Sequence, residues 1–586
     1  MLLRRSVYTI VMNNNLNKII RIFASLLGQQ QKRETRFAPT EGYDEYLSAQ
    51  EEAYASMNDR KPDWELLPFF SVILLYKGNK ASLNRTINSL QNQSYDNWEL
   101  IICAQTKVIC GLKDMEKDHI RLCGLDSTDE AILHAAVAKS HGHYLWFAQA
   151  GDEFTKDALY CMAENAAKHK DVGMIYGDED HIGPSGQRER PIFKPDFSPE
   201  TLFSHPYIGR AFAVSRLAYN NADGLASYSA ADIYAFQLKC AKNGFVKHIP
   251  KVIFSSAQSN CPLSPREGRD CLDKFIKSHY KNGYSVSGLY TGSFRVRYGF
   301  KDNLSIAIII PHRDQTDALR ACLESIEDIS TYERYQFIIV DYGSQKPISQ
   351  KYLNILEKNR AAKVIRYDGK FNLSKINNIG AANALTDYLT FLSPYCRPIT
   401  PDWLESMLEL AQLKDTGVVG AKLLFPSGQI WHGGVVVGIG GWFGNVYSGD
   451  ADDTDETRRN HFVQTLRNTT AVSGNCLMVK NDKFFHAGCF DETLEAYGYD
   501  VELCMRMRNF GWRNIYTPFS TLEYHGGKVS SKDAAQPDLV RCYDAMRKML
   551  LKGDPYYNPN FDYAKIIPVV APKPYPAILL NPNTAK

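Results

Sequence analysis

Charge of one sign is missing from this chain. Sixty-eight Lys and Arg stand against 65 Asp and Glu, a net charge of +3 over 586 residues. So even a balance gives no electrostatic case for nucleic acid as a partner. Long apolar runs are missing too: no stretch reaches the roughly 18 residues that span a bilayer, so no transmembrane helix is expected. Thirteen cysteines are present, an odd number with no CxxC pair. That argues against a disulfide framework or a zinc ribbon and for a reducing compartment. The glycine fingerprint GxGxxG is also lacking. Its nearest approach, GIGGWFG at 438–444, has Phe443 where the third glycine belongs, which argues against a nucleotide-dependent oxidoreductase.

Hydrophobic residues make up 44% and charged residues 23%, the balance of a folded globular chain rather than a disordered one. At roughly 100–200 residues per domain the length allows about three to five domain equivalents. The start, MLLRRSVYTIVMNNN, has no apolar core followed by a small-residue cleavage site, so no secretory leader is expected. Leu16, Ile19, Ile20, Phe23 and Leu27 then recur at helical spacing beside Lys18, Arg21, Lys32 and Arg33. Two readings stay open for this basic amphipathic segment: peripheral contact with an anionic membrane surface, or a helix docked on the following domain.

The chain repeats itself. Residues 71–107 and 305–345 each carry an apolar β-branched run, a polar turn, an amphipathic helix and a second apolar run. That order predicts a parallel strand–helix–strand unit. A spacing of roughly 230 residues is too long for a solenoid and points to two tandem α/β domains. The expected division is an N-terminal helical segment at 1–67, a first domain at 68–297, a second at 303–530, and a helix with a Pro-rich extended surface tail at 531–586. In open α/β sheets ligands bind beyond the carboxyl ends of the strands. One such place is Asp341-Tyr342-Gly343-Ser344, after the apolar run Phe337–Val340. Asp341 there could accept hydrogen bonds from a base or ribose, or close an Asx turn.

The second half reads IIIPHRD (308–314), IVDYGS (339–344), FNLSKINN (371–378), TPDWLESML (400–408), GVVGAKLLFPSGQIWHGGVVVGIGG (417–441), AVSGNCLMV (471–479), the run 489–514 and LEYHGG (522–527). The first half carries DVGMIYGDEDHIGPSGQRERPIFKPDFSPETLFSHPYIGR at 171–210. In this order the motifs resemble family 2 glycosyltransferases of the GT-A fold, and more closely the tandem bacterial proteins of O-antigen and surface-polysaccharide assembly. The resemblance covers roughly residues 70–560. It implies two tandem Rossmann-like domains with mixed, mainly parallel sheets. It also implies transfer of a sugar, with inversion, from a nucleotide-diphosphate donor to a glycan or lipid-linked acceptor at the cytoplasmic face of the membrane. A carboxylate base takes the acceptor proton, and Mg²⁺ or Mn²⁺ held by an Asp-x-Asp motif stabilises the leaving diphosphate. On these positions Asp500 matches the base, with Glu502 two residues on as a helper and His525 as the metal- or diphosphate-contacting histidine. Asp341 matches the nucleotide-contacting carboxylate, and Arg313, Asp314, Lys375 and Asn378 match the donor cleft. Capping of the following helix by Asp500 and a structural role for His525 stay open beside these roles.

Both halves depart from the pattern. The second reads LSPYCR (392–397) where Asp-x-Asp belongs. No carboxylate remains there, and Cys396 is too soft a ligand for Mg²⁺ or Mn²⁺. Any such ion would be weakly held, so Arg313, Lys375, Arg397 or His525 are the candidates to balance the diphosphate. The first half reads AQAGDEF (148–154), retains only Asp152 and Glu153, places Asp232 at the base position, and has Ser255 or Ser256 where the histidine belongs. Its literal Asp-x-Asp, Asp178 and Asp180, lies outside the metal-site position. The acidic run DADDTDE (450–456) reads as a solvated loop over the cleft. The alternative function is therefore a noncatalytic glycan- or nucleotide-binding scaffold built from two degenerate transferase domains.

Overall fold

The computed structural model describes residues 42–55, 64–117, 119–257, 263–300, 303–452, 461–527, 536–572 and 574–575. The amphipathic segment around Leu16–Leu27 and residues 453–456 of the acidic run lie outside them. A helix, Tyr43–Ala55, precedes the first sheet.

The first sheet comprises β1 (Phe70–Leu75), β2 (Trp98–Ala104), β3 (Ile120–Gly124), β4 (Tyr144–Gln149), β5 (Glu153–Phe154), β6 (Val172–Ile182), β7 (Arg188–Ile192), β8 (Phe212–Ser215) and β9 (Phe245–Ala257). A hairpin, β10 (Tyr284–Ser287) and β11 (Phe294–Arg297), follows. The second sheet draws on β12 (Ile306–His312), β13 (Tyr335–Asp341), β14 (Ala362–Arg366), β15 (Tyr388–Leu392), β16 (Cys396–Pro398), β17 (Thr416–Leu424), β18 (Ile430–His432), β21 (Arg467–Thr469), β22 (Cys476–Lys480) and β23 (Arg513–Tyr524), while β19 (Val435–Val437) and β20 (Phe443–Asn445) form a separate ribbon.

The spatial orders are β3-β2-β1-β4-β8-β6-β9-β5 and β14-β13-β12-β15-β22-β17-β23-β16. Strand for strand the two halves have the same plan. In each, the first four strands run parallel, an antiparallel strand (β8 or β22) joins them to the rest, and a late strand runs parallel to its neighbour. Both are mixed, mainly parallel α/β sheets, as expected.

The apolar runs form buried strands because both faces are covered. Along β12, Ile306, Ile308 and Ile310 enter one core cluster, while Ala307 and Ile309 enter another on the opposite face. Full burial of an Ile or Leu side chain contributes about 1.5–3 kcal/mol. The first of these clusters continues from Ile73 in the first half to Tyr524 in the second, so the halves share a core. Polar contacts cross the same seam: Arg513 Nη2 with Glu200 Oε1 at 2.9 Å, and Ser198 Oγ donating to Asn468 Oδ1 at 2.7 Å.

The Pro-rich tail corrects one expectation. It is wedged between the halves rather than laid on the surface. Asp554 accepts the Val437 N–H at 2.8 Å and the Thr470 hydroxyl at 2.7 Å in the second half. Asn558 Nδ2 donates to Asp178 Oδ2 and to the Lys194 carbonyl, both at 2.8 Å, in the first. Buried acceptors need donors, and the tail supplies them. The Asp178/Asp180 pair is thereby occupied: Asp178 Oδ1 meets His248 Nε2 at 2.9 Å, and Asp180 takes Arg188 Nε at 2.7 Å and the Tyr43 hydroxyl at 2.5 Å. The acidic run corrects another. Asp452 is not free in solvent but pairs with buried Lys422 at 2.9 Å.

His248 lies buried between Asp178 and Asp196, and these carboxylates raise its pKa above the ordinary 6.5 against the opposing effect of burial. A raised histidine pKa contributes stability that is complete below 6.5 and is lost as pH rises through the higher folded-state value. Unfolding free energies from denaturant titrations run upward from pH 6 should therefore fall for the native chain by about 1.4 kcal/mol per unit of elevation. They should fall less for His248→Gln; identical slopes for the two proteins contradict the assignment.

Candidate functional site

The carboxyl ends of β12, β13, β15 and β23 gather the chemistry of the second half. The chain after β15 turns through Ser393, Pro394 and Tyr395 into β16, which pairs with the end of β23: Cys396 opposite Tyr524, Arg397 opposite Glu523. This pairing places His525 beside the turn, with its N–H donating to the Tyr395 carbonyl at 2.9 Å. Its Nε2 lies 3.0 Å from Glu523 Oε2. On the other side Ser393 N–H donates to the Asn475 carbonyl at 2.9 Å, and the neighbouring Gly474 N–H donates to Asp500 Oδ2 at 2.7 Å. Asp500, Gly474, Asn475, Ser393, Tyr395 and His525 thus form one connected rim.

Asp500 occupies the first turn of the helix Tyr499–Asn509, whose N-cap is Gly498 at φ +76°. The left-handed N-cap conformation there suits glycine. Asp500 Oδ1 accepts the Val501 N–H at 2.9 Å, so the carboxylate touches backbone on both oxygens. Burial pushes its pKa above the ordinary carboxylate value, with the backbone N–H groups pulling the other way. Among the described residues no cation pairs with it. A carboxylate that is partly desolvated, hydrogen-bonded and free of a counter-cation is suited to taking a proton.

Glu502 is a correction. Residues two apart on a helix point to different sides, and Glu502 is engaged by Arg506 through Nε at 2.8 Å and Nη2 at 2.5 Å. It forms an ion pair on the side of the helix away from Asp500 and does not assist it.

Asp341 is buried and its Oδ1 accepts the Ser344 hydroxyl at 2.5 Å and the Ser344 N–H at 3.2 Å. The Asx turn is therefore formed, while Oδ2 has no hydrogen bond among the described residues. Its neighbour Tyr342 is half-buried, and burial raises the hydroxyl's pKa; Arg313 is exposed and directly follows His312, which pairs with Asp341 across β12 and β13. Asp314, at φ +57°, accepts the N–H groups of Gln345 at 3.0 Å and Lys346 at 2.8 Å, and these bonds hold its carboxyl below the usual range. It clasps the β12 and β13 loops together. Lys375 and Asn378 turn elsewhere: Lys375 Nζ lies 3.9 Å from Glu492, and the Asn378 amide bonds both the N–H and the carbonyl of Phe490. They brace the 489–495 loop.

The turn after β15 does not suit a divalent cation. Cys396 is a fully buried thiol whose pKa burial drives well upward. Neither Ser393 nor Tyr395 carries a carboxylate, and Glu523 with His525 supplies only a pair of donors. Among the described residues no cluster of three or more His, Cys, Asp or Glu could hold a metal.

The first half shows what happened at the same place. β4 pairs Tyr144 with Ser215 as β15 pairs Tyr388 with Lys480, so Arg210 stands where Asn475 does. β5 pairs Glu153 with Ser255 as β16 pairs Arg397 with Glu523. Asp152 therefore corresponds to Cys396, and Ala257, not Ser255 or Ser256, takes the place of His525. Asp152 is fully buried and its oxygens take Arg210 Nη1 at 3.1 Å and Nη2 at 2.5 Å. The Ala257 N–H adds a bond at 3.1 Å. Asp232 accepts the hydroxyls of Ser227 and Ser229 on Oδ2, beside the Ser229 N-cap of its helix. The pairing of Asp152 with Arg210 had no local signal, since the partners are 58 residues apart.

Removing one member of a buried pair leaves an uncompensated charge and costs about 3–5 kcal/mol. Arg210→Met should lower stability by that order in denaturant titrations, and Arg210→Met with Asp152→Asn should recover most of it. A single variant as stable as the native chain contradicts the pairing.

Residues 307–465 match the family model described as Glycosyl transferase family 2. The chain is 28% identical over 535 residues to the O-antigen biosynthesis protein RfbC of Myxococcus xanthus, covering 88% of this chain and 41% of that protein. It is 28% identical over 530 residues to the uncharacterized protein y4gI of Sinorhizobium fredii, covering 84% and 57%. The chain thus spans about half the length of these relatives. Among solved structures, GalNAc-T7 with UDP, GalNAc and Mn2+ aligns over 42% of this chain and 48% of its own, at 16% identity and a TM-score of 0.33. The part of the chain from β12 through β20 is thus similar to glycosyl transferase family 2.

Proposed function

We propose that the second half transfers a sugar, with inversion, from a nucleotide-diphosphate donor to a glycan or lipid-linked acceptor in the assembly of a bacterial surface polysaccharide. The observation that carries this reading is Asp500: a partly buried carboxylate with a raised pKa, without a cation, on a rim that also holds His525 and the turn after β15. In this reading Asp500 takes the acceptor hydroxyl's proton as the oxygen attacks the anomeric carbon from the face opposite the leaving diphosphate. Asp341 Oδ2 receives a donor group of the nucleoside. Arg313 and His525 meet the charge that develops on the diphosphate, and charge-assisted hydrogen bonds from such groups are the strong ones. The relatives' names support a place in polysaccharide synthesis, and the family match supports a nucleotide-sugar donor.

The noncatalytic reading is favoured for the first half alone, where Arg210 fills the strand-end site and Asp232 accepts the hydroxyls of Ser227 and Ser229. We place the boundaries of the two units at 68–297 and 303–530. No described helix is long and apolar enough to cross a membrane. Peripheral attachment at the cytoplasmic face rests on the amphipathic segment outside the described residues.

Asp500→Asn should reduce transfer by about 10²–10⁴-fold while nucleotide affinity stays within twofold. The native rate should fall on acidification through the raised Asp500 pKa, because only the ionised carboxylate accepts a proton. Transfer that continues at native rate in the variant removes Asp500 from the role of base.

A further inference from the structure

The helix that presents Asp500 to the cleft has a second working face. Glu502, Arg506 and Phe510 follow one another at intervals of four, so they form one stripe along it. Beside this stripe runs an open groove of ≈ 760 Å³, bounded across from Arg506 by Asn378 and Glu492 and floored by Phe485. An aromatic shelf continues from its end. Phe485 is 44% exposed and Phe510 47% exposed. Phe510 stacks on Trp512 with ring centres 5.2 Å apart and planes 29° from parallel, and His486 joins both rings.

The first half treats this face differently. Counted from Asp232 as from Asp500, Tyr234 and Leu238 stand where Glu502 and Arg506 do. Both are buried, and Tyr234 is covered by Phe294 of the β10–β11 hairpin at 6.0 Å. One half closes the face with apolar side chains and its own hairpin. The other lines it with planar polar groups and ends it in exposed rings.

The charge of the groove narrows its occupant. Arg506 is neutralised by Glu502 and bonded to the carbonyls of Ala487 and Cys489, and Lys375 faces Glu492 at 3.9 Å, so among the described residues no unpaired cation lines the groove for a phosphate or an anionic headgroup. Asp491 and Glu492 repel both. Planar amides, carboxylates and a fixed guanidinium hydrogen-bond vicinal hydroxyls, and flat aromatic surfaces stack on the apolar face of a pyranose ring. We propose that this groove and shelf hold a neutral saccharide unit of the acceptor chain, away from the residue that receives the sugar. The proposal rests on the transferase reading for the identity of the chain, but not for the existence of the site. The groove and Asp500 lie on different sides of one helix, so a growing chain can curve around it from one to the other.

The probe is delipidated surface polysaccharide from the cells that make this protein, cast into a native gel. The native chain should be retarded. Phe510→Ala and Phe485→Ala should each weaken retardation by about fivefold, with unchanged melting temperature and unchanged nucleotide affinity. Glu492→Gln serves as a second variant, since it keeps the size of a side chain that lines the groove but removes its charge. Equal retardation of native and variant chains, or none of the native chain, overturns the proposal. Retention on phosphatidylglycerol vesicles that is lost in Phe510→Ala also overturns it, in favour of a membrane contact. Retardation that depends on Phe510 in a protein that binds no nucleotide upholds the groove while refuting the transferase reading.

Discussion

A buried carboxylate must be hydrogen-bonded or paired, and at the turn after the fourth strand the two halves of this chain meet that constraint in opposite ways. The first keeps Asp152 and answers it from within, with the Arg210 guanidinium and the Ala257 N–H. The second removes the carboxylate, placing Cys396 there and Asn475 where the guanidinium would stand. Neither solution calls for a divalent cation at that position. The desolvation cost of an isolated carboxylate is several kcal/mol, and at Asp152 the Arg210 guanidinium and the N–H groups of Gln149 and Ala257 offset it. The rest of each cleft follows from the choice made here.

The closed half is then free to serve as a foundation. Its Asp178, Glu179 and Asp180 face inward to His248, Lys194 and Arg188, and the Asn558 amide of the tail completes the network. Asp554 ties the same tail to the second half. The tail and the shared core hold the second sheet against the first, so the rim around Asp500 is built on a fixed base. Pre-organisation of that kind is what a transfer reaction asks of its scaffold.

The two tandem, mainly parallel α/β units could be read from the chain because they rest on local pattern. Apolar runs such as Ile306–Ile310 and the helix after them repeat in both halves, and periodicity needs no distant partner. Asp500 and His525 could be proposed from the sequence because each sits inside a contiguous motif. What escaped were choices of partner. Arg210 meets Asp152 across 58 residues, and Asn558 meets Asp178 across 380, where spacing carries no information. Glu502 was misassigned because two residues along a helix reverse the facing, and Arg506 four residues on captures it. The histidine's counterpart in the first half shifted from Ser255 or Ser256 to Ala257 because only strand pairing sets the register.

The most direct measurement is calorimetric titration of the full chain with UDP, dTDP and GDP, in Mn²⁺ and again in EDTA, beside Asp341→Ala and Arg210→Met with Asp152→Asn. One nucleotide bound per chain, with affinity that survives EDTA, is lost in Asp341→Ala and is indifferent to the first-half variant, is the result predicted here. Binding that vanishes in EDTA, or that depends on the first-half pair, would contradict it.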